Sequence, residues 1–114
     1  MKIFNSFQNT FLANQVVVAD TFFSRFVGLL NRKNLNSGEA LMITRCRSIH
    51  MFFMRFAIDV IFVDRQNRVV GLVEGIKPFC LSSIFLKASY AIELPEGTIK
   101  TSKTVVGDEL QVIP

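Results

Sequence analysis

The chain contains no tryptophan, one tyrosine, one histidine and two cysteines. These scarcities narrow the range of functions. Cys46 and Cys80 stand far apart and in no CxxC or Cys/His spacing, so neither a structural zinc nor any other metal or cofactor is expected. In a reducing compartment both read as small buried apolar groups. Whether they join as a disulfide turns on their Cα separation. No GxSxG, HExxH or phosphate-loop pattern is present, which removes the common hydrolase and nucleotide signatures. The longest run without a charge, residues 3–19, carries Asn5, Ser6, Gln8, Asn9, Thr10, Asn14 and Gln15. It falls short of the roughly 20 apolar residues of a membrane span and lacks the compact apolar centre of a secretion signal. A cytoplasmic protein without a membrane partner is the expectation. A basic block is missing too: thirteen lysines and arginines against nine acids give a net charge of +4, dispersed along the chain. Dispersed charge argues against a nucleic-acid partner, because duplex affinity needs cations concentrated on one face.

What the chain has in abundance is apolar bulk. Half of its 114 residues are hydrophobic against 19% charged, and twelve are phenylalanine. A chain of this size and composition folds as one domain. Residues 1–14 read as an irregular N-terminal segment and residues 15–114 as the core. Gln15 to Ala19, rich in valine, predicts a short strand. From Thr21 to Arg32, Phe22, Phe23, Phe26, Val27, Leu29 and Leu30 recur at helical spacing behind a cap at Asp20 or Thr21, giving the one main helix. Glu39 to Cys46, Ile58 to Val63, Val69 to Ile76, Ser89 to Leu94 and Glu109 to Ile113 supply further strands. Arg65-Gln66-Asn67-Arg68 reads as a hairpin turn, Lys77-Pro78 as a break, and Thr98 to Val106 as a polar connector with room for a helical turn. Alternation in Ser89 to Leu94 sets Tyr90, Ile92 and Leu94 on one side and Ala91 and Glu93 on the other, as in a half-buried strand. The fold class that follows is α+β and β-rich: a small curled or barrel-like, mostly antiparallel sheet with one main helix packed on it.

Chemistry concentrates between Ser48 and Asp64. Asp59 interrupts the apolar strand Ile58 to Val63 and must find a partner or sit at the rim, because an unpaired buried charge is costly. His50 stands nine residues upstream, with Arg45 and Arg47 before it and Arg55 after it. If Asp59 accepts from one imidazole nitrogen, the other is left as general acid, base or ligand, which makes His50 and Asp59 the candidate catalytic pair. A plainer alternative packs His50 among phenylalanines and joins Asp59 to Arg25 or Arg55 across a helix–sheet interface. Arg45, Arg47 and Arg55 around His50 suit either a small anion pocket or a solvated strand edge. Met51 and Met54, among Phe52, Phe53 and Phe56, read as core or as an adaptable groove for a partner segment.

Taken in order, Arg25, Gly28-Leu29, Gly38, Met42, His50, Phe53-Met54-Arg55, Ile58-Asp59-Val60, Phe62, Asp64, Glu93-Leu94, Gly97 and Gly107-Asp108 resemble one known family. It is the domain-of-unknown-function family numbered 192, a small bacterial and archaeal domain, and the resemblance runs from about residue 16 to the end. It implies a compact, β-rich single domain and carries no function. Met51 stands where the family usually has threonine and Ala57 where it has proline. After Pro78, where an aromatic and a basic residue often follow, this chain has Phe79 and Cys80. A ligand shared across the family would meet altered contacts here.

Three functions follow. The first is a non-enzymatic binding module that takes a small anionic ligand or peptide between the Thr21 helix and the Asp59 strand, through Arg25, His50, Met54, Arg55 and Asp59. The second is a small hydrolase or isomerase with His50 as acid or base and Asp59 as its orienter. The third is a protein-assembly module that uses the apolar stretch from Phe79 to Leu86.

Overall fold

The computed structural model describes residues 1–20, 34–51 and 54–114. The expected helix from Thr21 to Arg32, with Arg25 and Gly28 in it, and the pair Phe52 and Phe53 lie outside the described residues. Within them the chain forms strands β1 (Lys2–Asn5), β2 (Thr10–Ala13), β3 (Gln15–Ala19), β4 (Glu39–Thr44), β5 (Ile58–Val63), β6 (Val69–Ile76) and β7 (Tyr90–Pro95). A short helix α1 (Thr98–Ser102) and a last strand β8 (Leu110–Ile113) follow. The architecture is β-rich α+β, drawn as two mostly antiparallel sheets. One is three-stranded in the order β2-β1-β8, the other five-stranded in the order β3-β4-β7-β5-β6. Only the β3–β4 pair among these is parallel.

The five-stranded sheet is apolar on both sides because its inner strands are covered on both. All six residues of β5 are buried. Ile58, Val60 and Phe62 join one apolar cluster with Leu41, Ile43 and Ala91, while Ile61 and Val63 join a second with Met42, Ile92 and Leu94. The three-stranded sheet closes the second cluster with Ile3, Leu12 and Leu110. The first is closed by Ile49, Met51, Met54, Ala88, Cys46, Phe56 and Phe85, which belong to irregular segments rather than to a sheet.

The first fourteen residues are not irregular. They form the β1–β2 hairpin, and β1 also pairs with β8 near the other end of the chain. Asn5 ties this arrangement together: its amide donates to Thr104 and to Asp108, both at 3.0 Å, and its oxygen accepts from the Phe7 and Gln8 amides. The β5–β6 hairpin turns as expected. The Asn67 amide donates to the Asp64 carbonyl at 3.1 Å, Asp64 to Arg68 at 2.9 Å, and Asn67 takes the left-handed position (φ 61°) of a three-residue loop.

Candidate functional site

Asp59 finds its partners in the backbone. Its Oδ1 accepts from the Gly75 amide at 2.8 Å, and its Oδ2 accepts from Gly97 and Ile99 at 3.1 and 2.9 Å. Gly75 (φ 59°) sits in the bulge where β6 carries one residue more than β5 between the Ile58–Ile76 and Val60–Val73 pairs. Gly97 and Ile99 open helix α1, which has no side-chain cap of its own. One fully buried carboxylate therefore pins a bulge and caps a helix.

That role separates Asp59 from His50. Each oxygen of Asp59 is committed to backbone amides, whereas His50 is exposed and sits in an antiparallel bridge with Leu81. Met54 is buried in the first apolar cluster, and Arg55 is exposed. Arg25 lies outside the described residues. Of the five residues expected to line one pocket, the four described ones thus occupy a buried cap, a core position and two exposed positions.

The cysteines also depart from expectation. Cys80 is exposed and Cys46 half-buried, and no disulfide joins them. Segments 46–51 and 80–85 run antiparallel, with Met51 donating to the Cys80 carbonyl and Phe85 to that of Arg47. Cys46 and Cys80 therefore lie at opposite ends of this ribbon, about 16 Å apart at the rise of an extended chain. A disulfide requires under about 7 Å.

Two features that the sequence reading did not single out as sites now stand out. The first is Glu93. Its strand β7 pairs with β4 and β5 along both edges and is buried from Ala91 to Leu94 on both faces, and Glu93 lies opposite Leu41 and Val60. Six polar or charged residues are buried among those described, and Glu93 alone leaves an oxygen, Oε2, without a hydrogen-bond partner. Burial pushes its carboxyl up to about 8, so it is largely neutral at pH 7.

The second is a groove of about 890 Å³ lined by Arg45, Arg47, Arg65 and Lys87, with Leu86 and Ala88 as its apolar part. Strand register explains how cations so distant in sequence meet. Thr44 of β4 and Val63 of β5 both pair with Tyr90 of β7. The residues that follow β4 and β5, and those that precede β7, consequently leave the sheet at the same end. Arg45 (φ 51°) turns the chain there and donates to the Asp20 carbonyl at 3.4 Å. The carboxylate in the lining, Asp64, is engaged by its own turn, where Oδ1 accepts from the Gln66 and Arg68 amides at 2.9 Å. Behind the groove, burial and the Asp64 charge push the Tyr90 hydroxyl up to about 12, and it donates to Asn67 at 2.9 Å. No group of three or more metal-ligating side chains occurs among the described residues.

A family profile described as "Uncharacterized ACR" and named DUF192 matches residues 4–112. The chain belongs to the DUF192 family. The match takes in the N-terminal hairpin, which the sequence reading had placed outside the family-like core. A UPF0127 protein of Pyrococcus horikoshii is 35% identical over 112 residues, covering 96% of each chain. One of Thermococcus sibiricus is 41% identical over 100 residues, 84% of this chain, but the match spans only 64% of that relative's length. Two solved structures share the DUF192 chain's fold. A protein of unknown function from Novosphingobium aromaticivorans superposes with a TM-score of 0.80 at 17% identity, covering 97% of this chain and 82% of the other. A putative transcription regulator from Sinorhizobium meliloti does so with 0.79 at 19% identity, covering 96% and 89%.

Proposed function

We propose that this DUF192 member is a binding module for a small anionic ligand, held in the groove of Arg45, Arg47, Arg65 and Lys87. The observation that carries the reading is the convergence of four cations on a groove whose carboxylate, Asp64, is occupied by its own turn. Three guanidinium forks suit the planar oxygens of carboxylate or phosphate, and Lys87 adds a point charge. Leu86 and Ala88 give the same groove an apolar wall, which favours a ligand with a hydrocarbon body as well as a charge. The reading keeps the anionic ligand expected from sequence and moves it away from His50, since Asp59 is spent on backbone amides. Asp59 is fully buried against three backbone amides whereas His50 is exposed, which favours the binding reading over a hydrolase or isomerase built on the pair.

The test is thermal unfolding with pyrophosphate and with citrate, each against sodium chloride of matched ionic strength. Binding to the native state raises the Tm. Arg47→Ala and Arg65→Ala, both at exposed positions, are each expected to weaken binding by roughly ten-fold or more, the loss of one charged hydrogen-bond donor. A Tm that responds to ionic strength alone, or an affinity unchanged in the double variant, refutes the groove as the site.

A further inference from the structure

Residues 77–89 connect β6 to β7 without a helix or strand of their own, yet they are held along their length. Ser82 donates its amide to Ile49, its hydroxyl accepts from the Ile49 amide at 2.8 Å, and Phe85 donates to Arg47. The Phe85 ring turns inward and stacks on Phe62 with centroids 4.4 Å apart. The neighbouring side chains turn outward: Leu81, Ile84 and Leu86 are 67%, 68% and 73% exposed, and Phe79, in the left-handed region at φ 65°, is 64% exposed. A bulky residue takes that backbone conformation at a cost, which the surrounding hydrogen bonds must hold. Large apolar side chains are thus displayed on an ordered ribbon.

The charge carried by the two strands of the ribbon is of one sign, and its acidic neighbour in the groove beside Leu86 and Lys87 is Asp64, held by its own turn. Residues 40–58 and 75–92, which contain both edges of the ribbon, hold Arg45, Arg47, Arg55, Lys77 and Lys87 and no acidic residue. We propose that this ribbon docks on an anionic phospholipid surface, with Leu81, Ile84 and Leu86 entering the acyl boundary and Arg47, Lys77 and Lys87 meeting headgroup phosphates. Composition selects this occupant over a protein. Protein interfaces share this ribbon's arginine and phenylalanine, but they deplete lysine and under-represent leucine among their anchors, and the ribbon displays both. Segments that lie in a membrane surface combine phenylalanine and leucine with lysines that reach back to the headgroups. No helix among the described residues is long and apolar enough to cross a membrane, and surface docking needs none. The expectation of no membrane partner rested on the missing span and the missing secretion signal, neither of which bears on surface docking. The inference shares cations with the groove but depends on ribbon side chains that the small-ligand reading does not use.

The experiment is co-sedimentation of the full chain with phosphatidylcholine vesicles, with and without phosphatidylglycerol, at low and high salt. Reversible retention on the phosphatidylglycerol vesicles alone, weakened by salt, is expected. Leu81→Ser and Ile84→Ser, at exposed positions, should each lower it about ten-fold. Arg47→Glu with Lys87→Glu should lower it by at least about thirty-fold. Absence of retention on either vesicle overturns the proposal, and so does retention that the serine variants leave unchanged, which would be adsorption by net charge. Capture by soluble polyglutamate without vesicle retention, sensitive to the same serine variants, overturns it in favour of an acidic protein partner. Pyrophosphate binding measured on the serine variants reads the groove separately, so vesicle failure leaves that reading intact.

Discussion

Replacing Glu93 with glutamine is expected to flatten a fall in stability that the unmodified chain shows as the pH rises from about 4.5 to about 8. In the unfolded chain the carboxyl loses its proton near its ordinary value of 4.5, whereas the folded chain keeps it until about 8. Between these limits the native state binds the extra proton, so unfolding releases it and stability decreases with rising pH. Below the lower limit both states are protonated and the residue imposes no pH dependence; above the upper limit both are ionised and the loss is complete. The interval of about 3.5 pH units, from 4.5 to 8, corresponds to about 5 kcal/mol at 1.36 kcal/mol per unit, of which about 3 kcal/mol is lost by pH 7. That is a large share of the 5–15 kcal/mol by which domains are typically stable.

Urea unfolding at a series of pH values, for the unmodified chain and for Glu93→Gln, isolates the effect. Other carboxyl groups titrate in the same range, but they titrate in both proteins and cancel in the difference. The difference should grow by a few kcal/mol in favour of the variant between the two limits. Glu93→Leu, which removes the buried polar group altogether, should show the same pH trend with a higher stability at neutral pH. A difference that stays flat with pH would refute the reasoning, because it would mean that Glu93 is ionised in the fold and has a partner.

Asp59→Ala removes the acceptor for the Gly75, Gly97 and Ile99 amides, and chemical denaturation should show a loss of about 3–5 kcal/mol; a loss under about 1 kcal/mol would mean that water replaces the carboxylate. Gly71→Ala builds a methyl 2.3 Å from the Phe85 ring, too close to coexist with it, so Phe85 must leave its stack on Phe62. Stability should drop by about 1–3 kcal/mol and limited trypsin cleavage after Lys87 should accelerate; unchanged cleavage would show that Phe85 is not what fastens the ribbon.

The strands that were legible in the sequence are those whose identity is local. Gln15–Ala19, Ile58–Val63 and Val69–Ile76 coincide with β3, β5 and β6 because runs of β-branched residues between polar breaks prefer the extended backbone wherever they lie. β1 and β2 were missed for the opposite reason. Phe4, Phe7 and Phe11 do not alternate, and the strands are defined by pairing with β8 and by Asn5 bonding Thr104 and Asp108 about a hundred residues away. Glu93 was misplaced because alternation marks solvent only on a strand with one open face, and β7 has none. The basic groove was invisible since its cations are dispersed in sequence and are gathered by a register in which Thr44 and Val63 share Tyr90. Asp59 shows how far residue chemistry reaches by itself. It established that the carboxylate needed a partner, but three backbone amides from two other elements are not written in any local pattern.

The two faces of the five-stranded sheet are covered in different ways. On the side of Ile61 and Ile92 a second sheet covers the core, and the buried polar groups are paired. Asp108 accepts from Asn5, Gln8 and the Val105 amide; burial works to raise its carboxyl, but these bonds outweigh it and hold the group below its ordinary value. On the side of Val60 and Phe62 the cover is irregular chain. There the fold keeps Glu93 as an unpaired buried carboxyl, holds Arg45 and Phe79 in left-handed backbone, and leaves Leu81, Ile84 and Leu86 in solvent beside like charges. Each of these costs stability, and a chain selected for folding alone would lose them readily, by Glu93→Leu or Leu81→Ser. Left-handed backbone and exposed apolar side chains also occur on the other side, at Asn9, Lys103, Phe7 and Phe11; what sets the Val60 side apart is the unpaired Glu93 oxygen beneath a cover of irregular chain and the cations gathered beside it, which packing alone does not require.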